Sequence, residues 1–141
     1  MMVKITLRLM SVLIVAFWLN FVFAEGGTKG PAMQFEEMEY DFGTVVQGSA
    51  VKHTFKFKNV GTDTLKIAQV KTSCGCTAAW ESSKVIPPKA EGQIEVSFNT
   101  GSRQGKASKT VYVYSNDVNE AQRSLRIFGN IEVKAAEKVE K

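Results

Sequence analysis

A chain of 141 residues with two cysteines, one histidine and a formal net charge of +4 has room for one domain of ordinary size and not for two. Two cysteines cannot build a disulfide framework. Half of the small positive excess comes from Lys4 and Arg8, which leaves too little charge for a nucleic-acid binder.

Lys4 and Arg8 precede an apolar stretch from Leu9 to Ala24 that only Ser11 and Asn20 interrupt, and it ends Val22-Phe23-Ala24. That is the pattern of a secretory signal over residues 1–24, with the cut after Ala24. The stretch is short for a bilayer span, which takes about 20 apolar residues, so membrane contact is expected only through this segment if it stays uncleaved. No cysteine stands at the cut to accept a lipid. The chain is therefore expected in the periplasm or outside the cell, and not as a lipoprotein.

Residues 25–32, with Gly26, Gly27 and Gly30-Pro31, read as a flexible lead-in. From Met33 the apolar residues alternate with period two, the mark of half-buried strands. Val51, Phe55 and Phe57 alternate with Lys52, Thr54, Lys56 and Lys58. Ile94, Val96 and Phe98 do so with Glu95 and Ser97, and Leu125, Ile127, Ile131 and Val133 with Arg126 and Glu132. Shorter runs occur at Met33-Phe35, Leu65-Ile67 and Val111-Val113. Turn residues separate them: Gly43 and Gly48, Asn59-Val60-Gly61, Cys74-Gly75-Cys76, Pro87-Pro88, Gly101 to Gly105, and Ser115-Asn116-Asp117. No helical period is sustained. The pattern predicts an all-β, immunoglobulin-like antiparallel β-sandwich of about seven strands over residues 33–134, followed by a charged tail at 135–141 that frays.

Several segments together resemble a bacterial family of exported domains of unknown function. They are Asp41-Phe42-Gly43-Thr44-Val45 with Gly48, Phe55 to Gly61, Ser73-Cys74-Gly75-Cys76-Thr77, Ile86-Pro87-Pro88 and Val111 to Asp117. That family is related to the immunoglobulin-like domains of the major sperm protein, pilus chaperone and ciliary ASH group. The resemblance implies a fold and a binding or scaffold role, not a reaction. Read on their own chemistry, Gly43, Gly48 and Gly61 mark places where the chain reverses. Asn59 can hold its turn by bonding nearby backbone.

The pair with a claim to chemistry is Cys74 and Cys76. Two residues apart on an extended strand, both sulfurs face one way and make a soft pincer for Cu(I). Export equally favours a disulfide, inert or redox-active, and the third reading is a structural turn with buried thiols. Zn(II) wants more nitrogen or sulfur ligands than the single His53 supplies. His53, in phase with Val51 and Phe55, reads as a hydrogen-bonded core residue. Lys52, Lys56 and Lys58 share an outward face, either a solvated face or charged edge that prevents strand pairing, or a docking strip for an anionic polymer or lipid head group. Trp80 reads as a core anchor, with a ligand platform as the alternative. Tyr112 and Tyr114, in the opposite phase from Val111 and Val113, read as an exposed aromatic binding strip, with strand packing as the alternative.

No nucleophile elbow, zinc-protease helix or phosphate-cradling loop is present in the sequence. The expected function is a noncatalytic, cofactor-free module that binds a protein partner or an anionic surface polymer, with strand addition at a free sheet edge as one means. The alternative is a copper(I)-binding or thiol-redox envelope protein acting through Cys74 and Cys76.

Overall fold

A computed structural model describes residues 28–133. The signal peptide and the charged tail expected from the sequence lie outside the described residues. The strands are β1 (Met33–Phe35), β2 (Glu39–Val46), β3 (Ala50–Asn59), β4 (Leu65–Thr72), β5 (Thr77–Glu81), β6 (Val85–Ile86), β7 (Glu91–Asn99), β8 (Gly105–Ser115) and β9 (Gln122–Glu132). They make a four-stranded sheet, β1-β3-β7-β5, facing a five-stranded sheet, β2-β9-β8-β4-β6. The inward phase of each long strand supplies the core. Phe55, Phe57, Ile94 and Phe98 of one sheet meet Leu65, Val111, Leu125 and Ile127 of the other, all fully or almost fully buried. The immunoglobulin-like sandwich anticipated from the alternation is the observed fold.

Nine strands are present among the described residues rather than about seven, and the reasons are local. β2 was hidden by Gly43, which sits not in a reversal but at a bulge between Asp41 and Thr44 with φ +65°. Asp41 Oδ1 accepts the Gly43 N–H at 2.8 Å and stabilises that kink. β5 and β6 are too short to declare a period. One pairing departs from the antiparallel expectation, since β2 runs parallel to β9. The first strand leaves the four-stranded sheet after Phe35 and joins the other sheet at Glu39 without turning back.

Residues 28–32, expected to be flexible, are instead tied down. Thr28 bridges Gly61, the Gly30 N–H donates to Thr62 Oγ1 at 2.9 Å, and Pro31 O accepts the Val118 N–H at 3.0 Å. Two buried polar side chains complete this pole of the sandwich. Asn59 uses its whole amide. Oδ1 accepts from Gly61 N–H (3.0 Å) and Ala32 N–H (3.3 Å), while Nδ2 donates to Asp63 O (2.8 Å) and Ile86 O (2.9 Å). Gly61 is required because a Cβ there would overlap the Gly30 carbonyl and the Ala32 nitrogen. Asp117, 5% exposed, accepts from Met33 N–H (2.9 Å), Asn119 N–H (2.9 Å) and Arg123 Nη2 (3.1 Å).

Replacing Asn59 by Ala removes four bonds and leaves backbone groups unpaired. We expect about 3 kcal/mol of destabilisation, read as a lower urea midpoint. Burial opposes the charge on Asp117, but the N–H bonds from Asn119 and Met33 and the Arg123 guanidinium outweigh it and hold the carboxyl below its ordinary value of 3.8. A lowered folded value means that its stabilisation is full above the ordinary value and is lost as pH falls below it toward the folded one. We expect Asp117→Asn to be less stable than the parent at pH 7, with the gap narrowing below pH ~4 in urea titrations.

Candidate functional site

The opposite pole carries the cysteines. β4 leads into Ser73, whose N–H donates to Thr110 O at 2.9 Å and whose Oγ accepts the Thr110 N–H at 3.2 Å, so the ladder with β8 extends to the corner. The chain then crosses to the four-stranded sheet. Cys74 O accepts the Thr72 hydroxyl at 3.0 Å and the Thr77 N–H at 3.3 Å, and Cys76 O accepts the Asn99 N–H at 3.0 Å. Within this corner Cys74 and Cys76 are joined by a disulfide of 2.12 Å. Cys76 packs against the core, and Thr77 Oγ1 lies 3.6 Å from the Cys74 sulfur.

Of the readings of this pair, the bridge is the one realised. In that state neither sulfur is a thiolate ligand. Among the described residues no three His, Cys, Asp or Glu side chains converge to hold a metal. His53 lies elsewhere, in the middle of β3. Its Nε2 meets Glu37 Oε1 at 2.8 Å, its ring stacks on Tyr40 at 3.7 Å, and the Phe55 ring stands edge-on to it at 4.6 Å.

The residues read from the sequence as a surface do not form one surface. Lys52, Lys56 and Lys58 are exposed on the outer face of the four-stranded sheet. Tyr112 and Tyr114 are half-buried on the outer face of the five-stranded sheet, with the Lys71 ammonium 5.7 Å from the Tyr114 ring. The two groups lie on opposite sides of the molecule.

Trp80 is the main correction. Expected in the core, it is 45% exposed. Thr77 and Ala79 of β5 pair with the inward Phe98 and Val96 of β7, whereas Trp80 pairs with Glu95, so its ring points out on the lysine side. There it lines a groove of about 420 Å³ with Lys52, Thr54 and Glu95. A second groove of about 400 Å³ on the same sheet is lined by Gln34, Lys56, Lys58, Ser82 and Gln93 among others. Across the strands, Lys52 stands opposite Ser97, Lys56 opposite Gln93, and Lys58 opposite Glu91. Among the described residues none of the three lysines makes an ion pair. Local pattern in Thr77–Glu81 does not separate the two phases, and the outward facing of Trp80 follows from the pairing of β5 with β7.

Fold and faces together define an immunoglobulin-like β-sandwich with two open sheet surfaces. Residues 33–131 match the family described as protein of unknown function (DUF1573), and the chain belongs to that family. No curated protein matches the chain in sequence. Among solved structures it is similar to a protein of unknown function from Porphyromonas gingivalis W83, with TM-score 0.61, 15% identity, and coverage of 79% of this chain and 51% of that one. It is also similar to the secreted serine protease VesC of Vibrio cholerae, with TM-score 0.56, 14% identity, and coverage of 71% and 23%. The ASH/PapD-like domain 7 of human CEP192 is matched with TM-score 0.53, 12% identity, and coverage of 74% and 87%. At these identities the likeness is one of fold. The chain spans about half of the Porphyromonas protein and less than a quarter of VesC.

Because the thiols are paired, alkylation of the purified protein without reductant should leave its intact mass unchanged, and reduction first should admit two alkyl groups. Closing so small a ring contributes on the order of 1–2 kcal/mol by loop entropy. The double Cys74→Ser, Cys76→Ser form should therefore fold with a modestly lower urea midpoint.

Proposed function

We propose that the chain is an exported, noncatalytic module that docks an anionic surface polymer of the cell envelope on the outer face of its four-stranded sheet. The observation that carries this reading is the row Lys52, Lys56 and Lys58, exposed and without ion pairs among the described residues, beside grooves that run along the same face. Alternate residues on a strand stand about 6.6 Å apart, so Lys56 and Lys58 are one such step apart and Lys52 stands two steps away across Thr54, which offers three ammonium groups along one line to an extended chain. The buried acid Asp117 is committed to the fold by Met33, Asn119 and Arg123, which supports a binding rather than a chemical role. Export rests on the leader at residues 1–24.

A protein partner joined by strand addition is the second reading, and the sheet edges favour one place for it. β1 has three residues, β2 carries a bulge, and β6 has two residues before Pro87-Pro88. Each of those edges is blunted against pairing. β5, Thr77–Glu81, ends its sheet with no proline, lysine or bulge.

Near an anionic surface each lysine is worth about 1 kcal/mol, so the combined Lys52→Ala, Lys56→Ala, Lys58→Ala form should bind isolated envelope polymer on the order of a hundredfold more weakly at low ionic strength. The gap should shrink as salt rises, and the urea midpoint should not move, since all three side chains are exposed. Protein recovered from native cells should begin at Glu25. Equal binding by parent and triple variant at low salt would remove this face from consideration.

A further inference from the structure

Trp80 narrows the chemistry of the ligand. We propose that the polymer held by this face is an acidic polysaccharide and that Trp80 is the stacking platform for one of its pyranose rings. The inference rests on the docking-face reading above and goes further by naming the class of polymer.

The argument starts from what surrounds the indole. A tryptophan left 45% exposed on an otherwise polar sheet face presents a flat apolar surface to water. Its neighbours in the groove are an ammonium (Lys52), a hydroxyl (Thr54) and a carboxylate (Glu95). A dense polyanion, such as a polyphosphate, needs cations only and is repelled by carboxylates. Yet Glu95 pairs across the strands with both Thr54 and Trp80, and Glu91 stands opposite Lys58. Carboxylates interleaved with lysines suit a ligand whose charge is sparse and whose hydroxyls are many, since a hydroxyl donates to Glu and accepts from Lys.

A pyranose ring has an apolar side made of axial C–H bonds. Those hydrogens, slightly positive, match the negative face of the indole quadrupole. The second groove has the same mixed character, with Gln34, Ser82 and Gln93, side chains that donate and accept, beside Lys56 and Lys58 and the carboxylates of Glu36 and Glu91. The face thus combines one stacking plane, a line of two-way hydrogen-bonding groups and spaced ammonium groups. Sugar rings bearing occasional carboxylates satisfy all three together.

The test uses the exported protein from Glu25 onward, in which Trp80 is the single tryptophan. It is titrated with polygalacturonate, alginate and hyaluronate, and with inorganic polyphosphate as the anion without sugar. At least one of the three glycans should bind and shift the Trp80 emission to the blue. Trp80→Ala should weaken that binding about tenfold or more, Trp80→Phe should retain most of it, and neither should change polyphosphate binding. Polyphosphate binding that depends on the lysines, with no emission change and no Trp80→Ala effect for any glycan, would overturn the polysaccharide assignment and leave the lysine face standing. Failure of all four polymers to bind would overturn both. Trp80 is on the surface, so an unchanged urea midpoint for Trp80→Ala confirms that lost binding is not lost folding.

Discussion

The sandwich depends on one buried amide. Asn59 has two donors and two acceptor positions, and together they meet backbone groups from three stretches of chain: Ala32 before β1, Gly61 and Asp63 in the turn after β3, and Ile86 at the end of β6. No other side chain of that size carries both kinds of group. Aspartate would lose the donors and bury a charge, and serine has too short a reach and too few bonds. The main chain at the same residue adds two more ties, from Asn59 N–H to Ala90 O and from Lys89 N–H to Asn59 O. Asp117 performs the matching task for the five-stranded sheet, joining Met33 to the 117–119 turn and Arg123. Both locks grip residues 32–33, so the start of β1 is fixed by side chains as well as by its pairing with β3.

Fixing one pole by polar bonds leaves the other to be closed by different means. There the Lys109 ammonium covers the Phe98 ring at 5.6 Å and the Phe42 ring tilts against it at 6.1 Å, sealing the end of the core. The Cys74–Cys76 bridge lies at the step from β4 to β5. A strand has period two, and a slip of one residue exchanges its faces. In β5 such a slip would turn Trp80 into the core and Ala79 out. The Asn99 N–H to Cys76 O bond ties the bridged corner to the end of β7, next to the point where Thr77 begins the pairing of β5.

What could be read from the sequence follows the same physics. The long strands β3, β7 and β9 declared themselves because one phase is apolar and the other polar, as Val51, Phe55 and Phe57 against Lys52, Lys56 and Lys58. β2 did not, because Gly43 stands in it and a glycine reads as a turn until the partner strand shows the bulge. β5 did not, because Ala78, Ala79 and Trp80 place apolar residues in both phases. The parallel pairing of β2 with β9 joins residues some 90 apart, and local pattern carries no information about it. The lysine row was legible as a face, but its association with Trp80 was not, since only the β5–β7–β3 register brings the indole beside Lys52. The tyrosines were legible as a strip, but nothing local says that they occupy the other sheet.

A face built in this way has little left to organise when a ligand arrives. Lys52, Thr54, Lys56 and Lys58 stand on β3, which is paired along its length with β7 and ends at the Asn59 lock. The backbone positions are therefore set before binding, and only the lysine side chains lose freedom. Each such chain costs about 0.5–1.5 kcal/mol to immobilise, so individual contacts on an open sheet are weak. Affinity must come from several of them engaged along one molecule, through effective concentration rather than enclosure. A shallow, extended and rigid face is a poor container for a small substrate and a good track for a repeating polymer. That is the physical basis of the proposed docking role.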